Sequence, residues 1–194
     1  ENTPIGVSNS PPGPNDVVRI RMNVKVTVAD LAAGATFKLQ WGQSNTCSSI
    51  TTWTDVDVIG GTGIWRGKDN GTPADGAALS AVLLSSSQVV ETYEEQNSSA
   101  STPNTIAINQ FGEWDWVVAH NGATQNTSYC FRMVKGDGIA FANYLDYPKL
   151  TTKVYKPESA NWRWYRDVNI ETPTDALLGE NTLGKGILAN YKVK

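Results

Sequence analysis

The chain has 194 residues, of which 40% are hydrophobic and 18% charged, so it is long enough for one domain with a substantial core. Its net charge of −3 argues against a nucleic acid or an anionic membrane as a partner. The chain has one histidine, which excludes most metal sites and most Ser/His or Cys/His catalytic pairs.

The composition favours strands and turns over helices. Thr, Ser and Asn together supply 49 of the 194 residues. The longest apolar-rich stretch, residues 77–84, is far shorter than the roughly 20 residues that cross a bilayer. We therefore expect no membrane insertion.

The N-terminal region has two distinct parts. Its first fifteen residues contain four prolines and two glycines, which favour neither a helix nor a paired strand, so residues 1–16 are predicted to be an extended arm. Residues 18–28 then alternate without interruption, which predicts a long, half-buried strand. The apolar face of this strand consists of Val18, Ile20, Met22, Val24, Val26 and Val28.

Shorter alternating segments follow, separated by turns rich in Gly, Pro, Asn and Ser. We predict strands at residues 36–41, 53–59, 64–66, 113–119, 128–134, 150–155, 161–165 and 187–193. Residues 135–138 indicate a tight hairpin turn, and residues 79–93 are ambiguous between helix and mixed structure. The pattern predicts an all-β chain, an antiparallel β-sandwich of the Ig-like or jelly-roll-like type spanning residues 17–194.

One short sequence occurs near both ends of the chain. Glu1-Asn2-Thr3 recurs as Glu180-Asn181-Thr182, and each copy precedes a spacer with glycine and then an alternating strand. We interpret the two ends as equivalent pieces of one repeated unit, and residues 156–194 as a candidate segment for strand exchange.

The two cysteines, Cys47 and Cys130, are too far apart for a CxxC redox or zinc site. They would form one structural disulfide in an exported protein and remain two buried thiols in a cytosolic one. Three sequons, at Asn70, Asn97 and Asn126, permit glycosylation in a host that performs it.

Few residues suggest catalysis. No local signature gives His120 a nucleophile or a carboxylate partner, so we interpret it as a turn histidine. Glu91, Glu94, Glu95 and Glu113 could include a glycosidase pair, but that chemistry depends on a carboxylate separation that a sequence does not show. We predict that the chain is not an enzyme.

Metal binding has one candidate. Asp69, Asn70 and Asp75 offer oxygen ligands that calcium would accept, but their spacing is not that of an EF-hand loop. A solvated turn is the preferred interpretation, so neither a metal nor another cofactor is predicted.

The seven tryptophans and seven tyrosines raise the question of carbohydrate binding, because exposed rings stack on sugars. Trp114 and Trp116, like Trp162 and Trp164, are two residues apart and so share one face of a strand, where aromatic pairs usually anchor a core or an interface. Residues 162–166 mix cations with aromatics as single-strand nucleic-acid binders do, but the acidic balance of the chain argues against that function.

Several segments resemble a β-rich repeat module of long, predicted surface proteins from uncultivated and thermophilic bacteria. They are Phe37-Lys38-Leu39-Gln40-Trp41, Ile64-Trp65-Arg66-Gly67, Gly112-Glu113-Trp114-Asp115-Trp116, Tyr129-Cys130-Phe131-Arg132-Met133 and Asn161-Trp162-Arg163-Trp164-Tyr165. The resemblance covers most of residues 17–182 and implies an extracellular structural or adhesive role. It also implies that Cys47 and Cys130 are bridged.

The chain departs from the order of these modules. In such arrays the Trp-Arg-Trp-Tyr strand and the Glu-Asn-Thr spacer directly precede a strand like residues 18–28. Here that strand lies near the N-terminus and the Trp-Arg-Trp-Tyr segment near the C-terminus. The ends are therefore mismatched, which resembles the assembly logic of donor-strand-exchange pili.

From these features we predict a secreted structural subunit that polymerises by donating a terminal strand to the next copy of itself. In one direction the donor is residues 17–28, and its apolar face fills a groove on the next subunit; this face consists of Val18, Ile20, Met22, Val24 and Val26. In the other direction the interface strand comes from the C-terminal region, with Trp162, Trp164, Ile187, Ala189 and Tyr191. The alternative is a monomeric carbohydrate-binding or adhesin module that binds glycans at the cell surface.

Overall fold

The computed structural model describes most of the chain. Residues 11–84, 86–99 and 104–154 are described with their side chains, and residues 164–166 and 191–193 by their backbone. The chain divides into two compact units, one ending at Lys153 and the other beginning at Val154.

The first unit is an all-β sandwich of two four-stranded sheets, which confirms the predicted fold class. The first sheet contains β1 (Val18–Lys25), β4 (Trp65–Gly67), β5 (Val89–Glu94) and β6 (Phe111–His120). The second sheet contains β2 (Phe37–Gln43), β3 (Thr54–Asp55), β7 (Ser128–Lys135) and β8 (Lys149–Thr151). A short 3₁₀ helix, Cys47–Ser49, lies between β2 and β3.

β6 is the central strand of the first sheet. β1 pairs antiparallel along one side of it, from Val18 opposite Val118 to Lys25 opposite Phe111. On its other side β6 pairs antiparallel with β4 and parallel with β5. The second sheet has the order β3-β2-β7-β8 and is antiparallel throughout. Among the strands that the structure describes, β1 is therefore an edge strand.

Large aromatic side chains fill the space between the two sheets. Trp114 and Trp116 of β6 are 0% and 1% exposed, so of the two roles considered for this pair, core or interface, they have the core role. The Phe37 ring lies 4.8 Å from that of Trp114, and the Trp65 ring lies 5.0 Å from that of Phe131, both in edge-to-face contact. Such pairs add specific geometry to the burial of apolar area.

The long first strand is shorter than predicted. β1 ends at Lys25, although Val26 is still buried and exchanges backbone hydrogen bonds with Asn109 and Gln110. Val28 is 88% exposed. The alternation of the sequence continues to Val28, but the strand ends earlier because the chain leaves the first sheet here and crosses to β2.

The predicted strand at residues 53–59 is divided between the two sheets. Thr54 and Asp55 pair with β2, whereas Asp57 forms a parallel bridge with Arg66 of β4. The segment therefore turns the corner of the sandwich, where one continuous strand would have to bend.

The ambiguous segment at residues 79–93 contains no helix in the part that the structure describes. It ends in β5, the one described strand that pairs parallel with β6, and Ala78 forms an antiparallel bridge with Thr92 of β5. The predicted turn at residues 135–138 is present, since Gly138 N–H donates to Lys135 O, but the next strand begins only at Lys149.

The described residues of the second unit form a short ladder. β9 (Trp164–Arg166) and β10 (Tyr191–Val193) pair antiparallel, with Lys192 opposite Tyr165. They overlap the strands predicted at residues 161–165 and 187–193, whose other residues lie outside the described ones, as do residues 1–10 of the predicted arm. No helix in the described residues is long and apolar enough to cross a membrane.

Candidate assembly site

The inner face of β1 belongs to the core of its own chain. Val18, Ile20, Met22 and Val26 are buried there, and Val24 is half-buried. Each such side chain stabilises the fold by roughly 1.5–3 kcal/mol when fully buried. The prediction that this face fills a groove on a second copy concerns an assembly, and it stays a prediction.

The outer face of β1 is held by charge pairs. Arg21 donates to Glu113 Oε1 at 2.6 Å and, through Nε, to Asp115 Oδ2 at 3.2 Å. Arg19 also pairs with Asp115. Both acidic side chains are completely buried, so they depend on these guanidinium groups for compensation.

A strap formed by residues 79–84 and 86–88 covers Glu113. The Glu113 carboxylate accepts hydrogen bonds from the backbone amides of Leu83 and Leu84, each at 2.9 Å, and Arg21 donates to Ala81 O at 3.2 Å. Burial alone would raise the pKa of Glu113, but the hydrogen bonds from Arg21, Leu84 and Leu83 lower that pKa below its ordinary value. Glu113 is therefore a charged anchor for both β1 and the strap.

An apolar groove of about 530 Å³ opens at the end of the sandwich where β1 finishes. Its wall includes Val24, Val26, Leu31, Phe37 and Phe141. The groove lies beside the start of β6, since Lys25 pairs with Phe111.

The chain enters and leaves the first unit at the opposite end. Lys153 N–H donates to Pro12 O at 3.0 Å, and the His120 ring lies 3.3 Å from the same carbonyl oxygen. Burial lowers the pKa of His120, against hydrogen bonding to Pro12 and the charge of Asp16. β6 spans ten residues, so the two ends are about 30 Å apart.

The disulfide implied by the resemblance is present between Cys47 and Cys130, whose Cα atoms are 5.6 Å apart. It joins the start of the 3₁₀ helix to β7 and indicates an oxidising environment.

The three sequons differ in accessibility. Asn70 and Asn126 are exposed, whereas Asn97 is half-buried. The Asn97 side chain accepts a hydrogen bond from Leu39 N and donates one to Val56 O, so the nitrogen that would carry a glycan is already engaged. Glycosylation stays a prediction.

The glutamates considered for catalysis are buried. Glu94 accepts a hydrogen bond from Thr92, and Glu95 accepts from the Asn70 amide and the Tyr93 hydroxyl. Glu91 is 0% exposed, and neither of its carboxyl oxygens has a hydrogen-bond partner among the described residues.

The loop considered for calcium uses its carboxylates locally. Asp69 accepts from Gly71 N at 2.9 Å, and Asp75 accepts from Glu95 N at 2.7 Å. Within the described ranges, no group of three or more His, Cys, Asp or Glu side chains is arranged to hold a metal ion.

A surface aromatic stack was not found by sequence reasoning. The ring of Tyr147 lies 5.6 Å from that of Trp53 and 5.3 Å from that of Tyr144, with interplanar angles of 17° and 21°. The Arg132 guanidinium lies 4.5 Å from the Trp53 ring and donates to Gln40 Oε1. Tyr144 and Tyr147 share the loop between β7 and β8, whereas Trp53 lies just before β3, so no local spacing could have revealed the whole stack.

Of the C-terminal interface residues, Trp164 lies in β9 and Tyr191 in β10. Trp162, Ile187 and Ala189 lie outside the described residues.

No protein-family profile, curated protein or solved structure matches this chain.

Proposed function

We propose that the chain is a structural subunit of an extracellular filament or surface array, whose copies join by exchange of a terminal β-strand. The observation that carries the proposal is the position of β1. This strand contributes three buried side chains to the core, yet it lies at a sheet edge and pairs only with β6 among the described strands. An edge strand is where another chain can be exchanged or added.

The two ends of the first unit support a head-to-tail arrangement. The chain enters and leaves beside His120, and the apolar groove lies at the other end. A contact between unlike ends of neighbouring copies does not close on itself, so it propagates into a filament.

The location and the partner follow from the same proposal. The Cys47–Cys130 disulfide favours an exported protein, and the resemblance to surface-protein modules favours the cell surface. The partner is a second copy of the chain, and assembly by strand exchange requires no cofactor.

The experiment locks β1 to its own sheet. Lys25 and Phe111 are opposite each other, and replacing both by cysteine places a disulfide across a directly facing pair. The unmodified protein and Lys25→Cys/Phe111→Cys are compared by negative-stain electron microscopy and light scattering, before and after reduction. A matched control, Ser128→Cys/Thr151→Cys, bridges facing residues of β7 and β8 instead.

The outcomes separate the two directions of donation. Filaments that form from the locked variant only after reduction would assign the donor role to β1. Filaments that form in both states would leave β1 in its own sheet and assign that role to the C-terminal segment. Monodisperse monomers of the unmodified protein at every concentration would refute the proposal.

The aromatic stack favours a second candidate, a glycan-binding or adhesin module. Trp53, Tyr144 and Tyr147 are half-exposed and lie beside Arg132. Much of each ring faces another ring, which leaves little face for a sugar. Tryptophan fluorescence titrations with glycans test this function, and binding that Trp53→Ala abolishes would favour it over assembly.

A further inference from the structure

The edge of β1 opposite to β6, called here its second side, carries the backbone groups that face away from β6. Val26 N–H donates to Gln110 O at 3.0 Å, and antiparallel bonds recur at every second residue. The even-numbered residues of β1 therefore bond to β6, and the amides of Arg21 and Asn23 point the other way. No described strand pairs with that side of Met22–Val24.

The second unit shows which strand pairs with an equivalent of β1. Residues 187–194 align with residues 18–25 without a gap, and both end in Val-Lys. Apolar residues occupy every second position in each, and each follows a Glu-Asn-Thr sequence. β10 therefore corresponds to residues 22–24, and its antiparallel partner is β9.

We propose that the second side of β1 accepts β9 of a second copy. Transferring the register of the second unit places Arg166 of the second copy opposite Met22, Tyr165 opposite Asn23 and Trp164 opposite Val24. This inference rests on the proposed function and names its donor, the C-terminal strand. β1 itself stays in its own sheet.

The exchange is favoured by the difference between the two settings of β9. Among the described residues of its own unit, β9 pairs with β10 alone, over three residue pairs, and an isolated two-stranded ladder is marginal in water. On β1 it would become the fifth strand of a sheet that is already packed on a core. Backbone hydrogen bonds to a preformed edge supply affinity, and the alternate side chains fix the register.

Disulfide trapping tests the register directly. The proposal makes Val24 and Trp164 a non-hydrogen-bonded pair, which brings Cα atoms close enough for a disulfide. Full-length Val24→Cys and Trp164→Cys chains are mixed under mild oxidation, and the cross-link is mapped by mass spectrometry. The control replaces Val24→Cys with Asn23→Cys, because adjacent strand residues project to opposite faces.

We expect the mixed dimer to exceed the control by at least about fivefold. Equal yields from both mixtures, or no mixed dimer, would overturn the register and the second copy as occupant. The unmodified protein gives an independent measurement: amide exchange at Asn23 should slow by about tenfold or more when the concentration is raised. Unchanged exchange would also overturn the inference.

These results are distinguishable from those on the proposed function. A specific cross-link in samples without filaments would support the pairing and refute polymerisation. Filaments without the cross-link or the protection would support polymerisation and refute this pairing.

Discussion

Glu91 should make the stability of the protein depend on pH. It lies in β5, completely buried, with both carboxyl oxygens lacking a hydrogen-bond partner among the described residues. Burial raises its pKa from 4.5 to about 7, and the nearby backbone amide of Asn104 opposes the shift in part. The folded state therefore favours the protonated carboxyl group.

The size of the effect follows from the change in pKa. A rise from 4.5 to about 7 corresponds to about 3 kcal/mol between the two protonation states. Because the folded pKa is the higher one, this stability is fully present below pH 4.5. It is lost as the pH rises from 4.5 through 7, because the carboxyl group ionises readily in the unfolded chain, whereas in the folded chain no partner compensates its buried charge.

The substitution Glu91→Gln removes the titration and keeps the shape of the side chain. Urea unfolding of both proteins at pH 4.5 and pH 8 gives the free energy of unfolding at each pH. From pH 4.5 to pH 8, the free energy of unfolding of the variant should rise by up to about 3 kcal/mol relative to that of the wild type. Comparing two pH values cancels any constant cost of burying an amide.

A second glutamate supplies a control of opposite sign. The pKa of Glu113 is lowered, so its contribution to stability is present above pH 4.5 and is lost as the pH falls through the folded pKa. Relative to the wild type, Glu113→Gln should therefore lose stability as the pH rises to about 4.5, and the difference between them should stay nearly constant from pH 4.5 to pH 8. A gap between Glu91→Gln and the wild type that is the same at both pH values would refute the reasoning about Glu91.

Three further predictions concern the core, the charge pairs and the disulfide. Arg21→Met leaves the buried Glu113 without its guanidinium partner, so it should lower the free energy of urea unfolding by about 3–5 kcal/mol. Adding Glu113→Gln should restore most of this loss, and equal stability of the single and double variants would contradict the prediction. Ile20→Ala should lower the unfolding free energy by about 2–5 kcal/mol through loss of buried area and a cavity, and a cost below 1 kcal/mol would show that β1 is not packed in the core. Replacing Cys47 and Cys130 by alanine removes a disulfide whose cysteines are 83 residues apart in the sequence. The free energy of unfolding should fall by up to about 4.5 kcal/mol in the same assay. Unchanged stability would mean that the disulfide does not restrict the unfolded chain.

Alternation predicted the inner faces of the strands because it reports local geometry. Successive side chains of a strand point to opposite faces, so Ile20, Trp114 and Phe131 could be assigned to a core without knowing which strands pair. All three are buried. The two-sheet sandwich follows from many such faces that must cover one another.

The outer face of the first sheet was less predictable. Glu113 and Asp115 alternate with tryptophans, a pattern typical of side chains exposed to solvent, yet both are completely buried. The strap covers Glu113, and Arg21 reaches both carboxylates from a strand more than 90 residues away in the sequence. No local pattern encodes a cover that is assembled from distant segments.

The parallel position of β5 could not be predicted for a related reason. Its sequence is compatible with either direction, and the choice depends on how the strap returns the chain to β6. The corner at Asp57 is similar, since its bridge to Arg66 depends on where the second sheet meets the first. Both features are set by long-range packing rather than by the residues themselves.

The contacts of β1 favour the C-terminal strand as the donor. A β1 exchanged between two copies would make the same core contacts and the same pairs with Glu113 and Asp115 that it makes in its own chain. Such an exchange gains no contact energy and loses the freedom of the separate copies. Adding β9 to the second side of β1 leaves those contacts in place and creates new backbone hydrogen bonds. Assembly therefore gains most from a strand that is added to β1 rather than from β1 itself.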